Sequence, residues 1–427
     1  MSCKRFLTVL PLIALLLLVG VGSSQAVYRQ QCPPDTDGVD TDGDGIVDND
    51  NICVQIGGGD GYAVMGDGRH LYTFGFSAFG GPYTPGDVVS GTAPDPADAG
   101  NMWSDATNPG LVLGANFPAP TMHFRQGQKV FLTLHNVGML IRPDLFDPHT
   151  VHYHGFPNVA SVFDGLPDSA IAINMGSSMT YFYNLVEPGT YMYHCHVEAT
   201  EHMQMGMLGN FYVDPIQDNG PPITVNGKTY NKFAYNDIDG ETSYDVMMPL
   251  QIHSFDPVFH TEDETVQPLS FSTMRDVYPM FNGRGYPDTV NELTPAANPG
   301  DPDLILNKEG HFAQGMPSLI KATSGDRVLL RLSSLSTTEH FTVISPSIPM
   351  KVVGNGAQIM RTNGDPTGTD LFYMTNSIRL GGGEATDVIL DTTGVAPGTY
   401  FVYSRNLEQL SNNQEDFGGM MTEIIIQ

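Results

Sequence analysis

The sequence "YHCHVEATEHMQMGM" at residues 193–207 places three histidines, three methionines and one cysteine within fifteen residues. Its first residues read as the end of a β-strand, on which side chains two positions apart lie on the same face. His194 and His196 therefore point together, and Cys195 points to the opposite face. This strand end presents a thiolate on one face and imidazoles on the other, which indicates a metal-binding β protein.

A second histidine cluster, "DPHTVHYHG", contains His149, His152 and His154. His152 and His154 have the same two-residue spacing as His194 and His196, so they also share a strand face. If the two strands pair in one sheet, these four histidines converge on one face and the cysteine lies on the other. The two clusters together predict one metal site on each face of that sheet.

The first predicted site consists of His149, Cys195, His202 and Met207. Two imidazoles, one thiolate and a weak axial thioether form the ligand set of a blue-copper electron-transfer centre. Zinc also accepts mixed cysteine and histidine ligands, but a methionine in the loop after His202 favours copper. We therefore predict a type 1 copper at these four residues.

The second predicted site consists of His152, His154, His194 and His196. Four neutral imidazoles bind copper well and leave open positions at which oxygen can bind. Because His194 and His196 adjoin Cys195 in the chain, the two sites have a short covalent connection. That connection predicts electron transfer from the first site to the second.

The rest of the chain has the composition of an all-β protein. Short segments rich in β-branched and aromatic residues, such as "KVFLTLHNV" and "RVLLRLSSL", alternate with stretches of Gly, Pro, Asn and Asp. The chain has 47 Gly and 31 Pro, and it shows hardly any sustained helical periodicity. These features predict antiparallel β-sandwiches.

Two stretches of the sequence occur twice. The matching pairs are "GQKVFLTLHN" (127–136) with "GDRVLLRLSS" (325–334), and "PGTYMYHCH" (188–196) with "PGTYFVYSR" (397–405). The repeat predicts two copies of one sandwich, at residues 61–215 and 221–427, joined near the linker "DPIQDNGPPI".

These motifs give the chain a resemblance to the multicopper oxidases, which are built from cupredoxin domains. In that family an HCH segment carries the type 1 thiolate between two type 3 histidines, and an HxHG segment supplies one type 2 and one type 3 ligand. The resemblance implies two tandem cupredoxin-like Greek-key β-sandwiches and reduction of oxygen. It also implies these roles: type 1 ligands His149, Cys195, His202 and Met207, type 2 ligand His152, and type 3 ligands His154, His194 and His196.

The loop between the type 1 ligands departs from the family pattern. Five residues, "VEATE", separate His196 from His202, whereas the family usually has three. The spacing from His202 to Met207 is retained, so the sequence indicates a longer ligand loop. Met203 and Met205 remain as other axial candidates.

The second copy of the repeat departs further. It aligns Tyr403, Ser404 and Arg405 with the HCH segment, and the other motif region offers one histidine, His340. The family draws eight histidines from two domains to hold a trinuclear cluster. We therefore predict that the second domain has lost its copper ligands and that the first supplies only half of such a cluster.

The leading expectation is a copper-dependent oxidoreductase that takes electrons from a phenol, Fe(II), Mn(II) or a redox protein and passes them to oxygen. A homo-oligomer that apposes two first domains would bring together four histidines from each. Two other functions stay open: a non-catalytic blue-copper protein that carries electrons or holds copper, and a nitrite-reductase-like type 2 copper enzyme.

The N-terminus and the charge indicate where the protein acts. Residues 1–26 combine Lys4 and Arg5, the apolar run "FLTVLPLIALLLLVGVG" and the small residues "SSQA", which predicts a cleaved secretory signal. An uncleaved anchor helix is the alternative. The formal net charge of -28 repels nucleic acid and attracts cations. We expect a protein that is secreted, periplasmic or on the cell surface, with no nucleic-acid partner and no membrane span after cleavage.

Residues 27–60 form an acidic segment rich in Asp and Gly. It resembles a thrombospondin type 3 calcium repeat, since aspartates alternate with glycines and supply hard oxygen ligands. The candidate calcium ligands are Asp40, Asp42, Asp44, Asp48 and Asp50. An EF-hand fits less well, and a disordered acidic linker is the alternative. Cys32 and Cys53 bracket the segment and are candidates for a disulfide in an oxidising compartment.

Overall fold

The computed structural model describes residues 51–78, 113–158, 160–291, 305–306, 312–313 and 317–427. The predicted signal (1–26) and the five candidate calcium ligands lie outside the described residues. Within them the chain is almost entirely β, and the prediction of an all-β protein is confirmed. Neither of the two described α-helices has the length and apolar content that crossing a membrane requires.

The first domain, as far as it is described, has eight strands and one helix. They are β1 (Asn51–Val64), β2 (His70–Ala78), β3 (Ala119–Arg125), β4 (Lys129–Gly138), β5 (His152–His154), β6 (Ser178–Asn184), β7 (Gly189–His194), α1 (Ala199–Met205) and β8 (Leu208–Asp214). The strands form two sheets, in the orders β2-β1-β4-β6 and β3-β8-β7-β5. The two sheets enclose a core rich in aromatic residues.

The described part of the second domain has sixteen strands and one helix. They are β9 (Ile223–Val225), β10 (Lys228–Tyr230), β11 (Val246–Phe255), α2 (Pro257–Glu264), β12 (Tyr278–Phe281), β13 (Ile305–Leu306), β14 (Phe312–Ala313), β15 (Ile320–Ala322), β16 (Arg327–Ser334), β17 (Phe341–Ile344), β18 (Met350–Asn355), β19 (Gln358–Ile359), β20 (Tyr373–Thr375), β21 (Ser377–Leu380), β22 (Glu384–Asp391), β23 (Gly398–Ser404) and β24 (Met421–Ile426). Short 3-10 helices also occur, at Ser161–Phe163, Ile216–Asn219, Phe271–Thr273, Asp288–Val290, Thr362–Gly364 and Leu407–Gln409.

Two sheets form the second sandwich. Their orders are β12-β11-β16-β22-β18-β19, with β20 also paired to β18, and β15-β24-β23-β17-β21. The pairs β9–β10 and β13–β14 are separate two-stranded ribbons. Strand β24 alternates half-buried and buried residues, as expected for a strand with one face on a core. All eight residues of β16 are buried, because apolar clusters cover both faces of its sheet.

A fourth apolar cluster joins the two domains. Met192 and Leu208 from the first domain pack with Phe255, Met280 and Leu335 from the second. These residues lie on β7, β8, β11 and β12 or just after β16, so the interface adjoins the strands that carry the predicted ligands. Any motion between the two domains would therefore occur close to the predicted metal ligands.

Strand β1 begins at Asn51, inside the segment predicted to precede the first domain. It pairs in parallel with β4, with Ile56 opposite Leu134, and antiparallel with β2. The strand could not be predicted from the sequence, because its run "GGGDG" is mostly glycine, which is depleted in strands. Gly58 stands where a Cβ would come within 3.0 Å of the His149 ring, so the strand passes close to the predicted first site.

Candidate metal centres

The predicted pairing of the two histidine-bearing strands is present. Strands β5 and β7 are antiparallel neighbours, and His152 faces His194 directly across the pair. Cys195 follows the last residue of β7, and a short loop leads from it into α1. The chain then returns through Met207 to β8, so that all the ligands from the cysteine segment lie at one end of the sheet.

The first site brings together His149, Cys195 and His202. The Nδ1 atom of His202 lies 3.1 Å from the Cys195 Sγ, and the Nδ1 atom of His149 lies 4.0 Å from it. One ligand atom from each residue falls within 4.8 Å of the others, and all three side chains are buried. The backbone N–H of Thr150 donates to the Cys195 Sγ at 3.4 Å, which stabilises a thiolate there.

Met207 lies beside these three residues. Its backbone carbonyl accepts a hydrogen bond from the Cys195 N–H at 3.1 Å, and its own N–H donates to the His202 carbonyl at 2.8 Å. A Cβ at Gly58 would meet both the His149 ring, at 3.0 Å, and the Met207 methyl carbon, at 3.4 Å. Of the other axial candidates, Met203 packs with the cluster between the domains.

Charge inside the first site favours the ligand form of the cysteine. Burial would raise the pKa of the Cys195 thiol, but His202 and His149 outweigh it and lower that pKa to about 5. Burial likewise opposes the charged form of His202, yet the thiolate and Asp147 raise its pKa well above the usual value. The His202 Nε2 atom lies 3.2 Å from the Asp147 Oδ1. A carboxylate at that place fixes the ring so that Nδ1 faces the sulfur.

The second site brings together four histidine rings. Atoms of His152, His154 and His194 lie within 4.8 Å of one another. The ring of His196 adjoins them, with its centroid 5.2 Å from that of His152 and 5.5 Å from that of His194. His152, His154 and His196 are each partly open to solvent, so the cluster is accessible to a small molecule.

Three imidazoles of the second site, those of His152, His154 and His194, have pKa values lowered by burial, which favours their neutral form. Burial lowers the pKa of His194 to about 3, and burial is also the main cause that lowers the pKa of His152 and of His154. The ring Nδ1–H of His152 donates to the Asp164 carbonyl at 2.5 Å, and that of His194 donates to the Cys195 carbonyl at 2.8 Å. Each of these two rings therefore directs Nε2 towards the cluster as a free acceptor.

The second domain forms a wall beside the second site. The turn between β21 and β22 contains three glycines, Gly381–Gly383. A Cβ at Gly383 would come within 2.9 Å of the His154 Nε2, and a Cβ at Gly381 within 2.8 Å of the His340 Nε2. His340 lies in another loop; it is exposed, and its ring lies against this turn. Among the described residues, this turn thus contacts His154 with glycine backbone.

The second domain repeats the strand pairing of the site with other side chains. Ile344 faces Tyr403, as His152 faces His194 in the first domain. The Ser404 N–H donates to the Met420 carbonyl at 3.0 Å, as the Cys195 N–H donates to Met207. The Ser404 hydroxyl donates to the Gln409 Oε1 at 2.6 Å. A buried hydrogen bond between two side chains therefore stands where the first domain has its thiolate and imidazole.

Sequence reasoning did not find Asp147, Gly58 or Gly383. Asp147 lies in the "DPH" of the first histidine motif, so its closeness to His149 was a usable signal. The unusual runs "GGGDG" and "LGGGE" were the signals for the two glycines. Their contacts depend on distant parts of the chain, so no local pattern specifies them.

The residues present fit copper at both sites. A buried thiolate between two imidazole nitrogens, with a thioether beside it, is a soft and mixed donor set of the kind that serves both Cu(I) and Cu(II). A structural zinc site is usually tetrahedral with four strong ligands, and the methionine is a poor fourth ligand for that metal. Neutral imidazoles with accessible space suit copper at the second site.

Two β-sandwiches, with a buried thiolate, imidazole and thioether set in the first, define a two-domain cupredoxin protein. Residues 100–218 and residues 272–427 each match the multicopper oxidase family, and together these matches cover more than half of the chain. The chain belongs to the multicopper oxidase family.

Individual relatives are more distant. The L-ascorbate oxidase of Cucurbita pepo var. melopepo is 30% identical over 135 residues, which is 30% of this chain and 22% of that protein. Copper resistance protein A of Escherichia coli is 23% identical over 308 residues, which is 70% of this chain and 45% of that protein. The chain thus spans less than half of these curated relatives.

Among solved structures, the Blue Copper Oxidase from Nitrosomonas europaea superposes with a TM-score of 0.58 at 19% identity. The match covers 88% of this chain and 85% of that one. At this identity the likeness concerns the fold, and it supports the predicted pair of cupredoxin domains.

Proposed function

We propose that this chain is an exported copper oxidoreductase that oxidises a donor at the site of His149, Cys195, His202 and Met207 and delivers the electrons to oxygen at the histidine cluster. One observation carries the proposal: the two sites meet within three consecutive residues, because Cys195 belongs to the first site and its neighbours His194 and His196 lie in the second. A protein that only holds or carries copper has no need of a second cluster joined to the first in this way.

Copper, when bound, supplies the chemistry, accepting single electrons at the first site and reducing oxygen at the second. The residues of the chain position the metal ligands and set the protonation states of those ligands. Cys195 provides the thiolate and the covalent link to its two neighbouring histidines. Asp147 fixes the ring of His202, while the carbonyls of Asp164 and Cys195 fix the tautomers of the cluster. Neutral rings bind metal without first losing a proton.

The charge around the first site favours a cationic donor over an anionic one. Asp147 contacts His202, and the half-buried Glu201 directly precedes His202 in the same helix. The chain as a whole has a formal charge of -28. Fe(II) and Mn(II) are therefore preferred within the donor class, with phenols and redox proteins as the other members to test.

The second site is half of a trinuclear copper site, since four histidines are present where the family uses eight. The wall formed by Gly381–Gly383 offers no imidazole to complete it within the described residues. We propose a homo-oligomer that brings two first domains together, so that each contributes four histidines. His340, exposed on the same wall, is the other histidine available to a neighbouring subunit.

Export of the protein is part of the proposal. Cys53 is disulfide-bonded, and its partner lies outside the described residues. Disulfides persist in oxidising compartments, which agrees with the predicted signal at residues 1–26. Calcium binding by the aspartates of residues 40–50 is also part of this proposal.

Two other functions are separated from this one by experiment. Purified protein is loaded with copper and its copper content, visible absorption and EPR spectra are measured, followed by oxygen uptake with Fe(II), Mn(II) and a phenol. We expect an intense blue band, further copper beyond the first site and oxygen consumption. One blue copper per chain in a stable monomer without oxygen uptake would establish the electron carrier instead. Nitrite reduction without oxygen uptake would establish the nitrite-reductase-like enzyme.

A further inference from the structure

Gln204 lies in α1 between two ligands of the first site, His202 and Met207, and its polar groups bond to the second domain. Its side chain is completely buried. The Nε2–H donates to the Asp276 Oδ1 at 3.2 Å, and the Oε1 accepts from the Thr337 hydroxyl at 2.9 Å. A residue inside the ligand loop is therefore held by two side chains of the other domain.

The residues that hold Gln204 are themselves fixed. The second carboxylate oxygen of Asp276 accepts hydrogen bonds from the Ser254 hydroxyl at 2.5 Å and from the Thr338 hydroxyl at 2.6 Å. Ser254 is on β11, in the large sheet of the second domain. The position of the Gln204 amide is therefore set by a strand of that sheet rather than by a mobile surface chain.

The backbone of α1 is held by a third contact. The His260 Nε2 lies 3.0 Å from the Gln204 carbonyl, and the His260 Nδ1 lies 2.5 Å from the Tyr72 carbonyl. His260 is completely buried on α2. A neutral imidazole has one N–H, so it donates to one of these two carbonyls at a time. Because the two carbonyls belong to β2 and α1, His260 connects these elements.

The end of α1 is enclosed as well. Gly206 has φ +114, and a Cβ there would come within 2.9 Å of the Phe74 carbonyl, 3.3 Å of the Phe117 ring and 3.5 Å of the Phe255 ring. Phe255 belongs to β11 of the second domain, whereas Phe74 also packs edge-on against His202. The helix that carries His202 is thus closed in from both domains.

We propose that the second domain acts as a clamp on the type 1 ligand loop, and that Gln204 is the positioning residue through which it acts. The five-residue separation between His196 and His202 makes this loop longer than is usual in the family. Part of the loop forms α1, a helix of seven residues that is too short to be stable alone. The bonds to Asp276, Thr337 and His260 replace the rigidity that a short loop provides.

The clamp gives the second domain a role that its missing copper ligands do not explain. His202 and Met207 flank Gln204, so displacing its amide moves both ligands relative to Cys195. Rigid support of ligands governs metal affinity, and losing an outer partner typically costs 10–100-fold in binding. The copper part of this inference rests on the proposed function, whereas the clamp itself does not.

The test uses the full chain with Thr337→Val, Thr337→Ser and Gln204→Met. Valine removes the hydroxyl that bonds to Gln204, serine restores it, and methionine keeps the length of the side chain without its polar groups. Thr422→Val is the matched control, because Thr422 is buried in the same domain and its hydroxyl bonds within that domain, to Ser318. A general loss of stability would affect the control as well.

Two measurements are made on each variant. Hydrogen exchange of residues 199–207 in copper-free protein reports the clamp directly. In copper-loaded protein, the EPR hyperfine splitting, the blue band and the copper dissociation constant report the position of the ligands. We expect Thr337→Val and Gln204→Met to raise the exchange of this segment and the dissociation constant about tenfold. We also expect altered EPR spectra, with Thr337→Ser and Thr422→Val resembling wild type.

Failure of the clamp and failure of the proposed function give different experimental results. If wild type shows no blue copper, the proposed function is wrong, and the exchange measurement alone decides whether the clamp exists. If wild type is blue but the exchange and spectra of Thr337→Val and Gln204→Met match those of Thr422→Val, the clamp is wrong and the proposed function stands.

Discussion

Cys195 and His202 form a charge-paired couple even without metal. The imidazole lowers the pKa of the thiol to about 5, and the resulting thiolate, together with Asp147, keeps the ring protonated. Cys195, His149 and His202 would hold a copper ion here, and its positive charge would then stand beside the thiolate in place of the ring proton. The buried charges of this site are therefore compensated in both states.

The clustering of the candidate ligands could be predicted in part from local sequence spacing. His149, Cys195 and His202 are brought together, as are His152, His154 and His194, and the groups follow the predicted faces of two paired strands. Two-residue spacing on a strand suffices for the second group, whereas His149 and His202 of the first group lie outside the two strands. Gln204 carried no signal, because a buried amide between two methionines looks like any core residue until its partners in the other domain are known.

The burial of His135 leads to a prediction about how the stability of the protein depends on pH. Burial lowers the pKa of His135 from 6.5 to about 4. Between these values the unfolded chain binds a proton that the folded chain excludes, so this residue's contribution to stability is complete above pH 6.5 and declines as the pH falls towards 4.

We expect His135→Gln to make the free energy of unfolding less sensitive to acid, by up to about 1.4 kcal/mol per pH unit between pH 4 and 6.5. Glutamine retains hydrogen-bonding capacity towards Gln55 and Ser178, the partners of the histidine. Urea unfolding of both proteins at several pH values measures the slope. Parallel curves for wild type and variant would contradict the prediction.

The turn that connects β21 to β22 is the element that closes the second site. Three successive glycines let its backbone contact His154 and pass beside Ser336, whose carbonyl would lie only 2.2 Å from a Cβ at Gly382. Glycine is required there by close packing, and at Gly383 also by φ +86. The element therefore belongs to the site although it offers no ligand side chain.

Gly383→Ala is expected to impair the second site and spare the first. The new methyl group is directed at the His154 Nε2, so the ring has to move, and oxygen uptake should fall at least about tenfold. The blue band should remain, because Cys195 lies on the other face of the strand. Oxygen electrode and absorption measurements on one preparation give both results.

Gly394→Ala is the control for this variant. Gly394 has φ +76, so alanine introduces similar backbone strain, but nothing lies within 4 Å of its Cβ position. We expect normal oxygen uptake from it. Equal losses in both variants would attribute the effect to strain instead of contact with His154.

Elements were less predictable from sequence than side-chain chemistry. The alternating burial of β24 and the repeated strands were accessible, because apolar patterns encode them locally. Residues 51–60 of strand β1 were placed in the segment before the first domain, since glycines suit a linker as well as a close approach to His149. Helix α1 was not anticipated, because a seven-residue helix depends on tertiary contacts for its stability.

At the scale of the molecule, one buried arginine joins the two domains. Arg331 on β16 has no exposed side-chain surface. Its Nη1 donates to the Thr190 hydroxyl at 3.2 Å and lies 3.8 Å from an Asp387 oxygen, and its Nη2 lies 3.5 Å from an Asp214 oxygen. Thr190 and Asp214 belong to the first domain, so the ion cluster crosses the interface.

Arg331→Met is expected to lower the free energy of unfolding by about 3–5 kcal/mol, because the buried Asp387 loses its counter-charge and Asp214 is left with His123 as its ion-pair partner. Calorimetry should also show separate transitions for the two domains. Adding Asp387→Asn should restore part of the loss, since one uncompensated charge is then removed. A single unchanged transition in Arg331→Met would show that the apolar interface alone couples the domains.

The charge of the whole molecule predicts how donors respond to salt. With a formal charge of -28, the protein attracts cations at low ionic strength. We expect the KM for Mn(II) to rise several-fold between about 0.01 M and 0.15 M salt, as the screening length falls from about 30 Å to about 8 Å. Steady-state oxygen uptake measures this, with a neutral phenol as the control that should not respond. A salt-independent KM for Mn(II) would contradict the prediction.

The three residues at the end of β7 serve two sites, one on each face of a strand. A shift of the β5–β7 register by one residue would exchange the faces and remove both ligand sets at once. A one-residue slip would therefore remove both sites together. In the second domain, Tyr403 and Ser404 stand at the positions that correspond to His194 and Cys195, one from each site.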